Sequence, residues 1–298
     1  MDGIICLHKP PGPTSHDQIQ ALRKILRQKR IGHAGTLDPG AGGVLVIGVG
    51  QATRILEYLT LDQKTYLAEA FLGLTTDTQD LSGQILTRSD PSLITAAMVE
   101  KGLKSFMGES LQTPPMFSAV KVGGQKLYEY ARKGIAIERE QRQITIQSIE
   151  LTQFDQKTGR LQFEVTCSKG TYVRTLCHDL GVKLGCGAVM GSLVRIASGG
   201  FTLDQAYTLE QIQQQVASGR HDFLISINKA LAHLPEVQVP DNLVTAVSSG
   251  RALKVDNLDW PAAAVLRLTN SGQCLALGKV AEGEGEKWIK VSKVFISN

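Results

Sequence analysis

An α+β fold closed by a small β domain at its C-terminal end is the fold class this sequence predicts. Strand patterns recur along the chain, clearest at Leu161, Phe163, Val165 and Cys167, which alternate as in a half-buried strand. Helical patterns stand between them, with apolar residues three and four apart. Around "HLPEVQVP" (233–240) the texture changes to short strands between turns, ending in "KWIKVSKVFIS".

In chain order, "MDGIICLHKPPGPTS" gives a short strand, Gly3 to Leu7, and then a proline-rich loop. Ser15 opens an S-x-x-Q capping box with Gln18. Ile19, Leu22, Ile25 and Leu26 follow on one helical face, with Arg23, Arg27 and Arg30 off that stripe. This amphipathic basic helix delivers the chain to "IGHAGTLDPGAGGVLVIGVG" (31–50), which holds seven glycines, one histidine and one aspartate. Its "VLVIGVG" reads as a buried strand, since a membrane span needs roughly 20 residues. Residues 64–73 read as a strand, "TTDTQDLSG" (75–83) as a polar turn, and 95–107 as a helix. The stretch "TPPMFSAVKVGGQKLYEYARKG" (113–134) reads as loop, hairpin and short helix, rich in Lys and Tyr. "GTYVRTLCHDLGVKLG" turns helical, with Val173, Leu176, Leu180 and Leu184 at helix spacing. No repeat or low-complexity tract interrupts the chain.

The 298 residues suffice for one large domain or two, and 42% hydrophobic with 20% charged residues is the composition of a soluble globular protein. The net charge of +4 permits an acidic partner without demanding one. Its distribution says more: no acid occurs from Gln18 to Leu37, where Arg23, Lys24, Arg27, Lys29 and Arg30 cluster. A basic patch beside a glycine-rich loop suits a polyanion such as nucleic acid. The five cysteines are scattered and form neither C-x-x-C nor a zinc-ligand spacing. With no apolar leader in "MDGIICLHKPPG", a reduced, cytoplasmic setting is expected.

Several chemistries fail on the glycine-rich loop. A P-loop needs G-x-x-x-x-G-K-[ST], which is absent. A dinucleotide fingerprint runs strand, glycines, helix, whereas here a basic helix precedes and a strand follows. "DTQDLSG" lacks the acidic spacing and terminal Glu of a calcium loop. A retaining glycosidase needs two carboxylates, and this loop holds only Asp38. No metal or cofactor site is readable. What remains is one acid whose following proline biases it away from the α region. Asp-Pro-Gly is a common turn, and an oriented, ionised carboxylate is also a competent nucleophile. On these residues alone the turn is the simpler reading.

The blocks "KPPGPTSHDQI", "RIGHAGTLDPGAGGVLVIGVGQATR", "KTYLAEAFLGLTTDTQD", "TPPMFSAVKVGGQKLYEYARKG" and "CSKGTYVRTLCHDLG" stand in the order seen in the TruB family of tRNA pseudouridine-55 synthases. The resemblance runs from about Gly3 to Phe201 and is weaker beyond. It implies a pseudouridine synthase fold, with a large, mixed, mainly antiparallel sheet. It divides the chain into a catalytic domain at 1–234, with an RNA-gripping insertion at about 100–150, and a PUA-like RNA-binding domain at 235–298. It also implies an isomerase that flips out one uridine in the T-loop of tRNA, breaks N1–C1′, rotates the base and forms C5–C1′ without a cofactor. Asp38 then becomes the nucleophile, Tyr66 the aromatic that packs on the target base and can abstract a sugar proton, and Arg174 the partner of the catalytic acid. His33 would assist base flipping, Tyr172 and Leu193 would surround the uracil, and Lys9, Pro10 and Asp80 would support the site.

The sequence departs from the family pattern at Val46, where proline is common, and at Gly42, where threonine is common. Val194–Arg195 stands for a frequent Arg-Arg, which weakens one expected RNA phosphate contact. Two other functions fit parts of the pattern. A non-catalytic tRNA chaperone would not need Asp38, Tyr66 and Arg174 together. A guide-RNA-dependent pseudouridine synthase shares G-T-L-D-P, but the 113–134 insertion favours the stand-alone type. The partner expected is the T-arm stem-loop of tRNA, with no membrane or protein partner and a monomeric enzyme.

Overall fold

The structure, a computed structural model, describes residues 1–59, 63–254, 259–283 and 286–295. Its centre is a nine-stranded, mostly antiparallel sheet. The strands are β1 (Gly3–Lys9), β2 (Ile31–Ala34), β3 (Ala41–Val49), β4 (Gln63–Leu72), β5 (Gly108–Gln112), β6 (Arg142–Asp155), β7 (Arg160–Ser168), β8 (Ala188–Ser198) and β9 (Phe201–Thr202). The spatial order is β1-β3-β8-β4-β7-β6-β5, with β2 beside β3 and β9 beside β8. The helices that matter here are α1 (Ser15–Ile25), α2 (Ala96–Lys104), α3 (Val173–Leu184) and α4 (Leu209–Ala217). Among the described residues no helix is long and apolar enough to cross a membrane.

The unbroken apolar run of β3 has a physical cause. All nine of its residues are buried, because both faces of the sheet are covered at this point. Ile5, Leu7, Leu45 and Ile47 pack with Ile19 and Leu22 of α1 and Ile212 of α4. Ile4, Cys6, Val44 and Val46, on the opposite face, pack with Ile55, Leu59, Cys274, Leu277 and Phe295. Part of the cover of that second face therefore comes from the tail, through Cys274, Leu277 and Phe295. The other half of the sheet packs Ala68, Ala70, Phe163 and Val165 against Val99 and Leu103 of α2 and Leu176 and Leu180 of α3. Each buried Val, Leu, Ile or Phe among these contributes about 1.5–3 kcal/mol.

The tail forms a five-stranded sheet of β10 (Glu236–Gln238), β11 (Leu253–Lys254), β12 (Val265–Asn270), β13 (Gln273–Gly283) and β14 (Glu286–Val294), in the order β10-β12-β13-β14-β11. It has its own apolar centre, including Val239, Leu266, Leu268 and Ile289. It is also tied to the body. Arg54 Nη1 donates to the Val294 carbonyl at 2.7 Å, and Lys293 Nζ donates to the Arg54 carbonyl at 2.6 Å and pairs with Glu57.

Two local expectations change. The cap of α1 is Thr14, not Ser15: Thr14 accepts from the Asp17 N–H, and Asp17 accepts from the Thr14 N–H. Thr14 and Asp17 therefore close the capping box one residue earlier, which frees Ser15 for another task. The basic helix is also shorter than its charge pattern, since α1 ends at Ile25 and Arg27, Lys29 and Arg30 follow it. Arg23 donates to the Ile31 carbonyl and Arg30 to Thr53 and Gln51, so these two brace the glycine-rich segment.

Candidate active site

Asp38 lies in the connection between β2 and β3. These strands pair as a hairpin, Ile31 with Val49 through Ala34 with Val46. Beyond Val46 they separate, and β3 pairs instead in parallel with β8, Leu193 with Ala41 through Arg195 with Gly43. The loop 35–40 emerges at this exchange of partners. It is exposed at Asp38, Pro39 and Gly40 but anchored at Leu37, which is 3% exposed.

The anchors grip backbone. Ser15 Oγ donates to the Leu37 carbonyl at 3.1 Å and accepts from the Leu37 N–H at 2.9 Å. Lys9 is fully buried, and its ammonium donates to the carbonyls of Pro10 (3.0 Å), Pro39 (3.2 Å) and Ala41 (2.7 Å). All three of its donors are thereby used. Burial pulls the Lys9 pKa down, and the nearby Asp38 charge opposes that shift. Pro10 is exposed and contributes through its carbonyl. Arg195, also fully buried, donates from Nε to the Val44 carbonyl at 2.7 Å and from Nη2 to the Gly35 carbonyl at 3.0 Å.

The Asp38 carboxylate is half-exposed, and one oxygen accepts from Arg174 Nη2 at 2.7 Å. Arg174 stands in the first turn of α3 and is 7% exposed. A cation there opposes the helix dipole. Two carboxylates offset it, since Arg174 Nη1 also lies 3.7 Å from Asp80 Oδ2. Asp80 is in turn fixed by the Thr78 hydroxyl, the Ser82 N–H and the Ser82 hydroxyl, all on Oδ1. The Arg174 guanidinium sits 6.0 Å from the centre of the Tyr172 ring. Gln112 at the end of β5 brackets Tyr172: its Oε1 accepts from the Tyr172 N–H at 2.8 Å and its Nε2 donates to the Tyr172 carbonyl at 3.1 Å.

Tyr66 is buried on β4, in one apolar cluster with Leu37, Ala41, Cys167, Val173 and Leu193. Burial pushes its phenol pKa up, the Arg195 guanidinium opposes this, and Cys167 and Asp38 add to it. His33 lies on β2, and its Nδ1 is buried without a partner among the described residues. Burial, then the charges of Arg195 and His16, hold its pKa below the usual histidine value, which favours the neutral ring. Direct contacts thus join Asp38, Arg174, Asp80 and Tyr172. Lys9 and Pro10 stand behind the loop, Leu193 pairs with Ala41 just after it, and Tyr66 shares its core.

The glycines of the 31–50 segment serve different ends. Only Gly40 faces open space, where a substrate could approach. Gly43, at φ +102°, admits the Arg195 backbone, into which any Cβ at this position would run.

Sequence reasoning missed Ser15, Gln112 and Arg195. Arg195 carried a usable signal: it follows Leu193 at strand spacing, and a cation at a core-facing position needs a reason. Its burial also removes it from the outer surface where a phosphate contact was expected of this segment. Among the described residues no three His, Cys, Asp or Glu side chains cluster to hold a metal ion.

Residues 23–173 match the TruB family pseudouridylate synthase N-terminal domain, and residues 174–232 match the tRNA pseudouridylate synthase B C-terminal domain. The tail sheet lies beyond both matches. Among similar curated proteins, tRNA pseudouridine synthase B of Heliobacterium mobile is 44% identical over 97% of this chain and 93% of its own. That of Bacillus subtilis strain 168 is 46% identical over 93% of this chain and 92% of its own. Among solved structures, a chain of an H/ACA RNP bound to a substrate RNA containing 2′-deoxyuridine superposes with a TM-score of 0.75 at 27% identity. It covers 99% of this chain and 85% of that one.

Proposed function

The chain belongs to the TruB family of pseudouridylate synthases, and from that premise we propose that it isomerises uridine 55 in the T-loop of tRNA to pseudouridine, with Asp38 as the attacking group. One observation carries the reading: a solvent-facing carboxylate gripped on one oxygen by a buried guanidinium at 2.7 Å. Such a charge-assisted bond fixes one oxygen and leaves the other open to substrate. An ionised carboxylate is the form able to add to a sugar carbon.

The reaction needs a broken N1–C1′ bond, a rotated base and a new C5–C1′ bond, after which C5 gives up its hydrogen and N1 gains one. Asp38 holds C1′ during the exchange, either by direct attack or by adding to a glycal. Arg174 aims the carboxylate, with Asp80 fixing Arg174 from behind. Tyr66, Tyr172 and Leu193 receive the flipped uracil, and neutral His33 meets the displaced nucleotides. Extruding the base costs a few kcal/mol, offset by grips on the T-arm from the insertion that begins after Gln112. RNA loops are held by shape, stacking and phosphate contacts, and the Lys and Tyr side chains there suit that task. Residues 235–298 serve as a second RNA-binding unit, and the enzyme works as a cytoplasmic monomer. The relatives named tRNA pseudouridine synthase B match at 44% and 46% identity, against 27% for the H/ACA RNP chain, which disfavours guide-RNA dependence.

The test is Asp38→Asn, assayed with an unmodified tRNA transcript and pseudouridine mapping. The expected variant folds, binds tRNA and makes no pseudouridine. Turnover at a substantial fraction of the wild-type rate would remove Asp38 from the chemistry.

A further inference from the structure

Arg195 is the largest fully buried side chain of the protein, yet no carboxylate pairs with it among the described ion pairs. Burying a guanidinium without an anion is costly, so its position calls for an explanation. Two of its nitrogens hold the Val44 and Gly35 carbonyls, which lie either side of Asp38. The third, Nη1, is buried with no hydrogen-bond partner. Its location is fixed by Gly35, where an added Cβ would stand 3.6 Å from Arg195 Nη1 and 3.2 Å from Lys64 Nζ. Arg195 also lies directly opposite Tyr66 across the β8–β4 pair. Opposed residues of an antiparallel pair project to the same face, about 5 Å apart at Cβ.

We propose that Arg195 is a positioning residue with two tasks: its guanidinium fixes the loop that carries Asp38, and its free edge orients the Tyr66 hydroxyl and favours loss of the phenol proton. The inference rests on the reading of Tyr66 as a group that meets the substrate. It goes further by naming the cation that sets how that tyrosine, expected from the family resemblance to take a sugar proton, is aimed: Arg195, opposite it on β8. Burial alone would keep the phenol protonated. The groups facing it are Arg195 on β8, Cys167 on β7 and Asp38 on the loop. Lys64 shares its face two residues away on β4. Of the groups on neighbouring elements, Arg195 favours the phenolate, while Cys167 and Asp38 oppose it. The same cation therefore couples the placement of the nucleophile to the proton affinity of the tyrosine.

The experiment replaces Tyr66 with 3,5-difluorotyrosine, whose lower intrinsic pKa brings the titration within reach, and follows the fluorine resonance against pH without RNA. This readout is independent of pseudouridine formation, so it can fail or succeed whatever the substrate is. In Arg195→Gln the titration midpoint is expected to rise by about 1–2 pH units, the size of losing one close charge at intermediate dielectric. In Arg195→Lys the single nitrogen is taken up by the loop carbonyls, and a rise of about half a unit is expected. The lysine variant carries the test if the glutamine variant does not fold. A second readout is the single-turnover rate of Arg195→Lys in the Tyr66→Phe background. Its cost there is expected to shrink at least about threefold relative to its cost beside Tyr66, since interacting residues are non-additive. Midpoints unchanged in folded variants, or full additivity of the two substitutions, would overturn the proposal.

Discussion

Arg174→Lys separates the grip on Asp38 from everything else Arg174 could do. The substitution keeps the charge but replaces two nitrogens with one. In the structure those nitrogens span two carboxylates, Nη2 to Asp38 at 2.7 Å and Nη1 to Asp80 at 3.7 Å. A lysine can satisfy one and must release the other. The lost charge-assisted hydrogen bond is worth about 1.5–3 kcal/mol, or about 10- to 150-fold in rate. A misplacement of Asp38 by about 1 Å adds up to about 10²-fold. The expected loss in single-turnover rate is therefore about 10²- to 10³-fold. Affinity for tRNA should change less than about threefold, because a side chain 7% exposed offers little surface to RNA. Folded stability should also change little through this pair, since Asp38 is half-exposed and such pairs contribute about 0–1 kcal/mol. The assay is single-turnover pseudouridine formation at saturating enzyme, with equilibrium binding measured in parallel. A rate within threefold of wild type, or equal losses in rate and affinity, would place Arg174 on the RNA and not on Asp38.

Three further outcomes are expected. Gly43→Ala should lower Tm and slow the chemical step together, because a Cβ there displaces the Arg195 backbone and with it the Asp38 loop; unchanged activity would show that the loop tolerates the shift. A chain ending near His233 should melt at lower temperature or aggregate, because it uncovers Ile4, Val44 and Val46, which pack against Cys274, Leu277 and Phe295; an intact Tm would mean the tail covers nothing essential. All five cysteines are buried free thiols, and burial pushes Cys6 and Cys274 up to about 12 and Cys167 to about 11. A folded pKa raised above the unfolded value near 9 gives stability that is complete below pH 9 and is lost as pH rises toward 11–12. Alkylation at pH 8 should therefore label the denatured protein at five sites and the native protein at none, as read by intact mass.

The candidate site was named from the family resemblance, because the residues that carry that resemblance are specified locally. Asp38 sits in a run of unusual composition, and Tyr66, Arg174 and Asp80 fall in motifs of contiguous residues. The parts that hold this surface in place were not legible, for a different reason. Ser15 looked like a helix cap because capping is a short-range pattern, whereas its hydroxyl serves Leu37, 22 residues away. Gln112 reaches Tyr172 across 60 positions, and Arg195 reaches Gly35 across 160. Periodicity finds faces and turns, but it cannot say which two distant segments meet. The tail shows the matching limit on domain boundaries. Its change of texture is real and yields its own sheet, yet Phe295 and Leu277 share a core with Ile4.

The loop around Asp38 is fastened by Lys9, Arg195 and Ser15 almost wholly through peptide carbonyls and one peptide N–H. Every residue type offers the carbonyl, so the fastening does not depend on the side chains at the exposed tip, Asp38 to Gly40, whereas Gly35, at φ +79°, and buried Leu37 are held to their types by backbone and core. Sequence drift in this loop and precise presentation of its acid are therefore compatible. Further fragile positions lie outside the loop, on β1, α1 and β8. A designer wishing to install a different reactive group on this scaffold could rewrite the exposed tip and leave the three fasteners untouched. Changing any fastener would blur the placement of whatever group the tip presents.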